Sequence, residues 1–165
     1  MMQLRIAGTV ENSIVDGEGI RYTIFVQGCP HGCPGCHNPQ THDFQGGKLI
    51  DAAVLLKEIA SDPLLDGVTF SGGEPFCQAA ALGKQVHDLG LNLVTYTGYT
   101  LEQLLADGRE DWMALLNETD ILIDGRFEAD KKSYECRFRG STNQRYLDAK
   151  ASVAAGKAVA APFDS

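Results

Sequence analysis

The stretch "GVTFSGGEPFCQAAALGKQVHDLGLNLVTYTG", Gly67 to Gly98, decides the fold class. Val68, Thr69 and Phe70 run into the pair Gly72-Gly73, which reads as a short strand closed by glycine. Leu82, Val86 and Leu89 then recur at helical spacing, with Gly90 as the residue that ends the helix. "LNLVTYTG" is a second strand. Strand, helix and strand in quick succession form the repeating unit of a parallel sheet.

The same alternation extends both ways. Upstream, "RYTIFVQG" (Arg21–Gly28) is β-branched and aromatic and reads as a strand, and "DAAVLLKEIA" sets Ala52, Leu55, Leu56 and Ile59 at helical spacing. Downstream, Thr100 and Gln103 form a capping box before "LEQLLADG", and Trp112, Leu115 and Leu116 mark a further helix. "DILIDG" (Asp120–Gly125) is nearly continuous in apolar residues, as a strand buried on both faces is. We expect an α/β fold with a mostly parallel sheet and right-handed crossovers, in a single domain over residues 1–165. "LRIAGTVENSIVDGEG" is expected to add a hairpin or an extra strand, and "YECRFRGSTNQRYLD" a strand and loop. The alanine-rich tail from about residue 150 carries no assigned element. Loops that follow parallel strands gather at one edge of the sheet, where ligands bind. The loops placed there are the cysteine-rich segment, "SGGEP", "TGY" and "DGRFE".

Composition narrows the function. The chain has 14 basic and 22 acidic residues, a net charge of −8, and no Lys/Arg-rich run, which argues against a nucleic-acid binder. No apolar run approaches the roughly 18 residues of a membrane span, and "MMQLRIAGTVENS" lacks the apolar core of a signal peptide. The expected location is cytoplasmic. Three of the five cysteines lie close together, which in a reducing compartment points to metal or redox chemistry before disulfides.

Those three, Cys29, Cys33 and Cys36, sit in "FVQGCPHGCPGCHNPQT" at the spacing Cys-x3-Cys-x2-Cys. Thiolates ligate iron–sulfur clusters, and three from one loop can hold a 4Fe-4S cluster with one iron left open. Gly28, Gly32 and Gly35 let such a loop wrap closely, and Pro30 and Pro34 stiffen it. Three rival readings stay open on spacing alone, one of them a chance grouping of the thiols. Cys33-Pro34-Gly35-Cys36 is a dithiol pair of redox type, and Cys29, Cys33, Cys36 and His37 are a zinc donor set. Cys77 and Cys136 read as packing or incidental thiols, and His31, His42 and His87 as solvated or surface residues. In "SGGEP", Gly72 and Gly73 leave bare backbone for a ligand, and Glu74 offers a carboxylate to an ammonium group. The plainer alternative is a strand-to-helix turn, with Glu74 at a helix start and Pro75 at its first position.

The cysteine spacing followed by a "GGEP" turn resembles the radical S-adenosylmethionine superfamily. "VDGEGIRYTIFVQGCPHGCPGCHNP" is similar to the activating enzymes of glycyl-radical proteins, with Glu18 where their "DGPGIR"-like turn has proline. "YTGYT", "DILIDGRFE" and "RGSTNQR" look like the activators of anaerobic ribonucleoside-triphosphate reductase. The likeness runs from about Ile14 to Ala149. It implies an incomplete β/α barrel in which Cys29, Cys33 and Cys36 ligate a 4Fe-4S cluster whose open iron binds S-adenosylmethionine. Gly72, Gly73 and Glu74 then hold the amino-acid end of that cofactor. Gly35 backbone with His37 or Asn38 contacts the adenine, and Thr97 and Asp124 serve the ribose or methionine. The implied reaction is reductive cleavage to a 5′-deoxyadenosyl radical that takes a hydrogen atom from a glycine of the partner reductase. Reduced flavodoxin or ferredoxin is the implied electron donor. Alternatives within the likeness are a pyruvate formate-lyase activator or another short radical S-adenosylmethionine enzyme.

Overall fold

A computed structural model describes residues 3–31, 39–133 and 138–162. Among these residues the sheet has seven strands: β1 (Gln3–Ser13), β2 (Arg21–Val26), β3 (Lys48–Asp51), β4 (Gly67–Gly72), β5 (Asn92–Tyr96), β6 (Ile121–Asp124) and β7 (Arg145–Asp148). Their spatial order is β3-β1-β2-β4-β5-β6-β7. The centre β2-β4-β5-β6 is parallel, as the strand–helix alternation predicts. Both flanks are antiparallel: β1 pairs with β2 and β3, and β7 pairs with β6. The sheet therefore mixes both pairings, with its parallel part in the middle. Among the described residues β3 and β7 are the outermost strands and do not pair with each other, so the ladder is open, and the tail covers the outer side of β7 through the antiparallel bridge Leu147–Ala160.

Among the described residues five α-helices follow the strands: α1 (Ala52–Ala60), α2 (Ala80–Asp88), α3 (Leu101–Asp107), α4 (Glu110–Glu118) and α5 (Ala149–Ala155). The period-2 alternation of the strands separates two faces. Tyr22, Ile24, Val26, Val68, Phe70, Leu93 and Leu122 share one core with Leu55, Ile59, Leu82, Val86, Leu104, Leu115 and Leu116 of the helices. The other face carries Thr23, Thr69, Val94, Tyr96 and Ile123, and a second, smaller cluster forms there around Val94, Ile123 and Tyr146.

Local signals explain most element ends. Asp51 caps α1 by accepting from the Ala53 N–H, and Thr100 and Gln103 form the expected capping box on α3. Leu82 and Val86 are buried as the α2 spacing predicts, but Leu89 is 44% exposed. The helix ends at Asp88, and Gly90 turns the chain in the left-handed region before Leu89 can join the buried face. Two elements carry no clear sequence signal. β3 is a four-residue edge strand with Leu49 56% exposed, so it lacks an apolar run. In the tail, α5 is capped by Asp148 and the chain then returns along β7, where the Ala161 N–H donates to the Tyr146 carbonyl.

At the N-terminal ends of the parallel strands, the "DGEGIR" turn closes the sheet with Arg21, which is 1% exposed. Its guanidinium donates to Thr69 Oγ1, to the carbonyls of Glu18, Val68 and Asn92, and to Asn92 Oδ1. All these acceptors are neutral. Gly67 has to be glycine because a Cβ there would stand 2.5 Å from the Arg21 guanidinium and 2.4 Å from the Asn92 carbonyl.

Candidate functional site

The opposite, C-terminal edge of the sheet borders a cavity of about 750 Å3, within the range of small-molecule and cofactor sites. β2 delivers Phe25 and Cys29 to it, β4 delivers Ser71, Gly72 and Gly73, and β5 delivers Tyr96, Thr97 and Gly98. Four of the strand-end loops singled out in the sequence thus converge on one space, since "DGRFE" contributes Gly125 and Phe127. Asp16 also lines it, accepting from Ser13 Oγ and Thr23 Oγ1. Asp16, Phe25 and Tyr96 were not singled out as site residues. Phe25 and Tyr96 were signalled only by lying on the strand face away from the helices.

The cysteine loop starts where β2 ends. Gly28 lies in the left-handed region (φ 107°) and donates to the Thr41 carbonyl, and Cys29 donates to that of His42. Cys29 thereby stands on the cavity wall. Cys33, Gly35, Cys36, His37, Asn38 and Cys136 lie outside the described residues.

The glycine pair has a structural reason beyond exposing backbone. A Cβ on Gly73 would lie 2.3 Å from the Gly28 carbonyl, and one on Gly72 2.7 Å from the Val26 backbone. Gly73 N–H donates to Val26 and Glu74 N–H to Gly28, so the "SGGE" segment continues the parallel ladder into the cysteine loop. The two segments can touch because neither carries a side chain at the contact.

Glu74 is wholly buried and its carboxylate is crowded with donors. Thr97 Oγ1 lies 2.9 and 2.8 Å from its two oxygens, the Gly98 N–H 2.8 Å from Oε1, and the Phe76 N–H 3.2 Å from Oε2. The Phe76 bond makes Glu74 the cap of a short 3-10 turn, Pro75–Cys77, so the plain-turn reading is also realised. A fifth contact comes from His31, whose Nε2 is 2.6 Å from Oε1. The expectation that His31 is solvated is wrong. Its side chain is 3% exposed and packs edge-on against Tyr99 with ring centroids 4.6 Å apart. The partners lie 43 and more residues away in sequence, beyond the reach of any local pattern.

Asp124 is turned elsewhere. Its carboxylate accepts from Arg145 Nε at 3.0 Å, Arg145 Nη2 at 2.5 Å and the Leu101 N–H at 2.7 Å, and it is not part of the cavity wall. A direct contact from Asp124 to ribose or methionine is therefore withdrawn. Its charge is spent joining the end of β6 to β7 and to the start of α3. Cys77 is exposed and lies outside the cavity wall. The "RGSTNQR" segment is a stitched turn. Gln144 Oε1 accepts from the Gly140 and Ser141 N–H groups, while its Nε2 donates to the Gly125 carbonyl.

With this geometry in place, the likeness to known proteins is specific. Residues 15–147 match a family described as a 4Fe-4S single cluster domain. The chain is 37% identical over 142 residues to the anaerobic ribonucleoside-triphosphate reductase-activating protein of Pasteurella multocida, covering 79% of this chain and 89% of that protein. The protein of the same name from Escherichia coli K12 is 32% identical, covering 79% and 90%. The pyruvate formate-lyase-activating enzyme of Clostridium pasteurianum is 34% identical over 145 residues, but those span only 58% of that enzyme. Among solved structures, QueE from Escherichia coli superposes with a TM-score of 0.51 at 20% identity, over 59% of this chain and 53% of that one, a likeness of fold alone.

Proposed function

The chain belongs to the family of anaerobic ribonucleoside-triphosphate reductase-activating proteins, and we propose that it is the enzyme that installs a glycyl radical on such a reductase. The observation that carries this reading is the identity with those relatives along nearly their whole length. Shared length favours them over the longer pyruvate formate-lyase activator. The 4Fe-4S family match favours a cluster over the zinc and dithiol readings.

In this reading, Cys29, Cys33 and Cys36 hold three irons and leave the fourth open. The residues fit such a group: Cys29 stands on the wall of the same cavity as Gly72, Gly73 and Thr97. When bound, the cluster and S-adenosylmethionine supply one-electron chemistry that ends in removal of a hydrogen atom from a partner glycine. The protein's part is placement and exclusion of water. The bare backbone at Gly72 and Gly73, with the Gly73 N–H held by Val26, would meet the amino-acid end of the cofactor. Glu74 takes its ammonium, with Thr97 fixing the carboxylate from behind. Gly35, His37 and Asn38, which lie outside the described residues, would border the adenine in this reading. Asp124 acts at one remove by anchoring the β6 end.

The open ladder is the partial barrel of this reading, and it leaves an edge through which a protein segment reaches the cavity. Reduced flavodoxin or ferredoxin supplies the electron. A low-potential cluster suits the cytoplasm, and no helix among the described residues is long and apolar enough to cross a membrane.

Anaerobic reconstitution with iron and sulfide tests the reading. The expected product holds about four irons per chain, with a visible band that bleaches on reduction. Added S-adenosylmethionine should then yield methionine and 5′-deoxyadenosine. Stoichiometric zinc without iron uptake would overturn it.

A further inference from the structure

We propose that His31 guards Glu74 by occupying its ammonium seat, and is displaced only by a ligand carrying an ammonium group. This rests on the reading that Glu74 accepts the cofactor's amino group. The cavity wall includes His31, Gly73, Thr97 and Gly98 but not Glu74 itself, whose exposure is zero. The imidazole therefore closes the space between the cavity and the carboxylate.

Glu74 has no free acceptor position. A carboxylate offers about four lone-pair directions, and four donors already reach it, the single Thr97 hydroxyl lying against both oxygens. Two of those donors are backbone N–H groups, and the Thr97 hydroxyl sits at the end of β5 and also accepts from the Tyr99 N–H. His31 is the one donor on the cysteine loop, so it is the one able to leave without dismantling the sheet edge.

The seat for His31 is built into the fold. Gly98 is not among the residues with positive φ, so backbone conformation does not demand glycine there. Space does: a Cβ on Gly98 would lie 2.4 Å from the imidazole. The glycine of "TGY" thus serves to admit the ring, and Tyr99 holds its edge.

Exchange is selective on energetic grounds. A buried carboxylate that loses a donor bears a desolvation cost. An ammonium restores a charge-assisted hydrogen bond and covers that cost, whereas a ligand lacking the group does not. His31 thus lowers affinity for a ligand whose amino group takes its place on Glu74, and a ligand without that group leaves it seated.

Equilibrium dialysis on the reconstituted, oxidised protein tests this with two probes. S-adenosylmethionine carries the amino acid; 5′-methylthioadenosine keeps the nucleoside and sulfur without it. His31→Ala should bind S-adenosylmethionine about five- to tenfold tighter, the worth of one hydrogen bond no longer displaced. Its affinity for 5′-methylthioadenosine should not change. Gly98→Ala keeps the backbone donor but evicts the ring, so it should tighten S-adenosylmethionine in the same way and serves if His31→Ala does not fold. The fluorescence of Trp112, whose ring centroid is 4.6 Å from that of Tyr99, should shift on binding to the wild type and much less in His31→Ala. Unchanged or weaker binding of S-adenosylmethionine by His31→Ala would overturn the inference. Glu74→Gln separates the two levels. If it loses S-adenosylmethionine selectively while His31→Ala fails to tighten, only the guard is wrong. If it discriminates the probes as the wild type does, the ammonium role of Glu74 is wrong and the guard falls with it.

Discussion

Gly73 shows what a single missing side chain can hold together. Its N–H reaches Val26, and its Cα sits where a Cβ would strike the Gly28 carbonyl. Gly73→Ala has to push the "SGGE" segment off the cysteine loop. It should cost about 2 kcal/mol by overpacking, read as a lower urea midpoint, and it should impair cluster retention. Tyr22 makes a pH-dependent contribution far from the site. Burial, with the hydrogen bond to Glu58, pushes its phenol up to about 12, against about 10 in an unfolded chain. The folded state therefore favours the protonated phenol, and that stability is present below about pH 10 and lost as pH rises toward 12. Tyr22→Phe should flatten that alkaline decline in thermal denaturation scans; an unchanged slope would assign it to other groups. At this scale the sequence was half legible. It marked Gly72, Gly73 and Glu74 as site residues because bare backbone after a strand admits a ligand and a carboxylate there can meet an ammonium group. It could not show why they are needed, because Val26, Gly28 and His31 meet them only through the parallel ladder.

Elements with their own local chemistry were readable, and those defined by neighbours were not. The capping box of α3 and the apolar spacing of α1 and α4 lie within a turn or two of sequence, so they were predicted and found. β3 exists because β1 offers it an edge, and its half-exposed residues give no period of their own. β7 is held by an ion pair that spans three elements. Arg145 donates to Asp124 at the end of β6 and to Glu102 in α3, and these contacts raise its already high pKa. The same contacts lower that of Glu102. Asp124 is buried while Arg145 is partly exposed. Arg145→Met would leave the carboxylate without its counter-charge, at about 3 kcal/mol. Equilibrium unfolding should show that loss, and Asp124→Asn in the Met background should recover part of it.

For the whole molecule, an open sheet with parallel strands at its centre places four strand ends round one cavity. Arg21 closes the opposite end with neutral acceptors, and its hydrogen bonds tie the starts of β2, β4 and β5 together. The strand–helix alternation was enough to predict the parallel centre. The antiparallel flanks come from β1, β3 and β7, whose pairing depends on which edges the centre leaves free. The central claim is that this arrangement turns a cluster and a sulfonium cofactor on a glycine of a partner protein. Its most direct test is electron paramagnetic resonance on an anaerobic mixture of reconstituted protein, reductant, S-adenosylmethionine and the anaerobic ribonucleoside-triphosphate reductase. We predict a glycyl-radical signal on the reductase that disappears with Cys33→Ala. A full signal with that variant, or none with the wild type carrying its cluster, would contradict it.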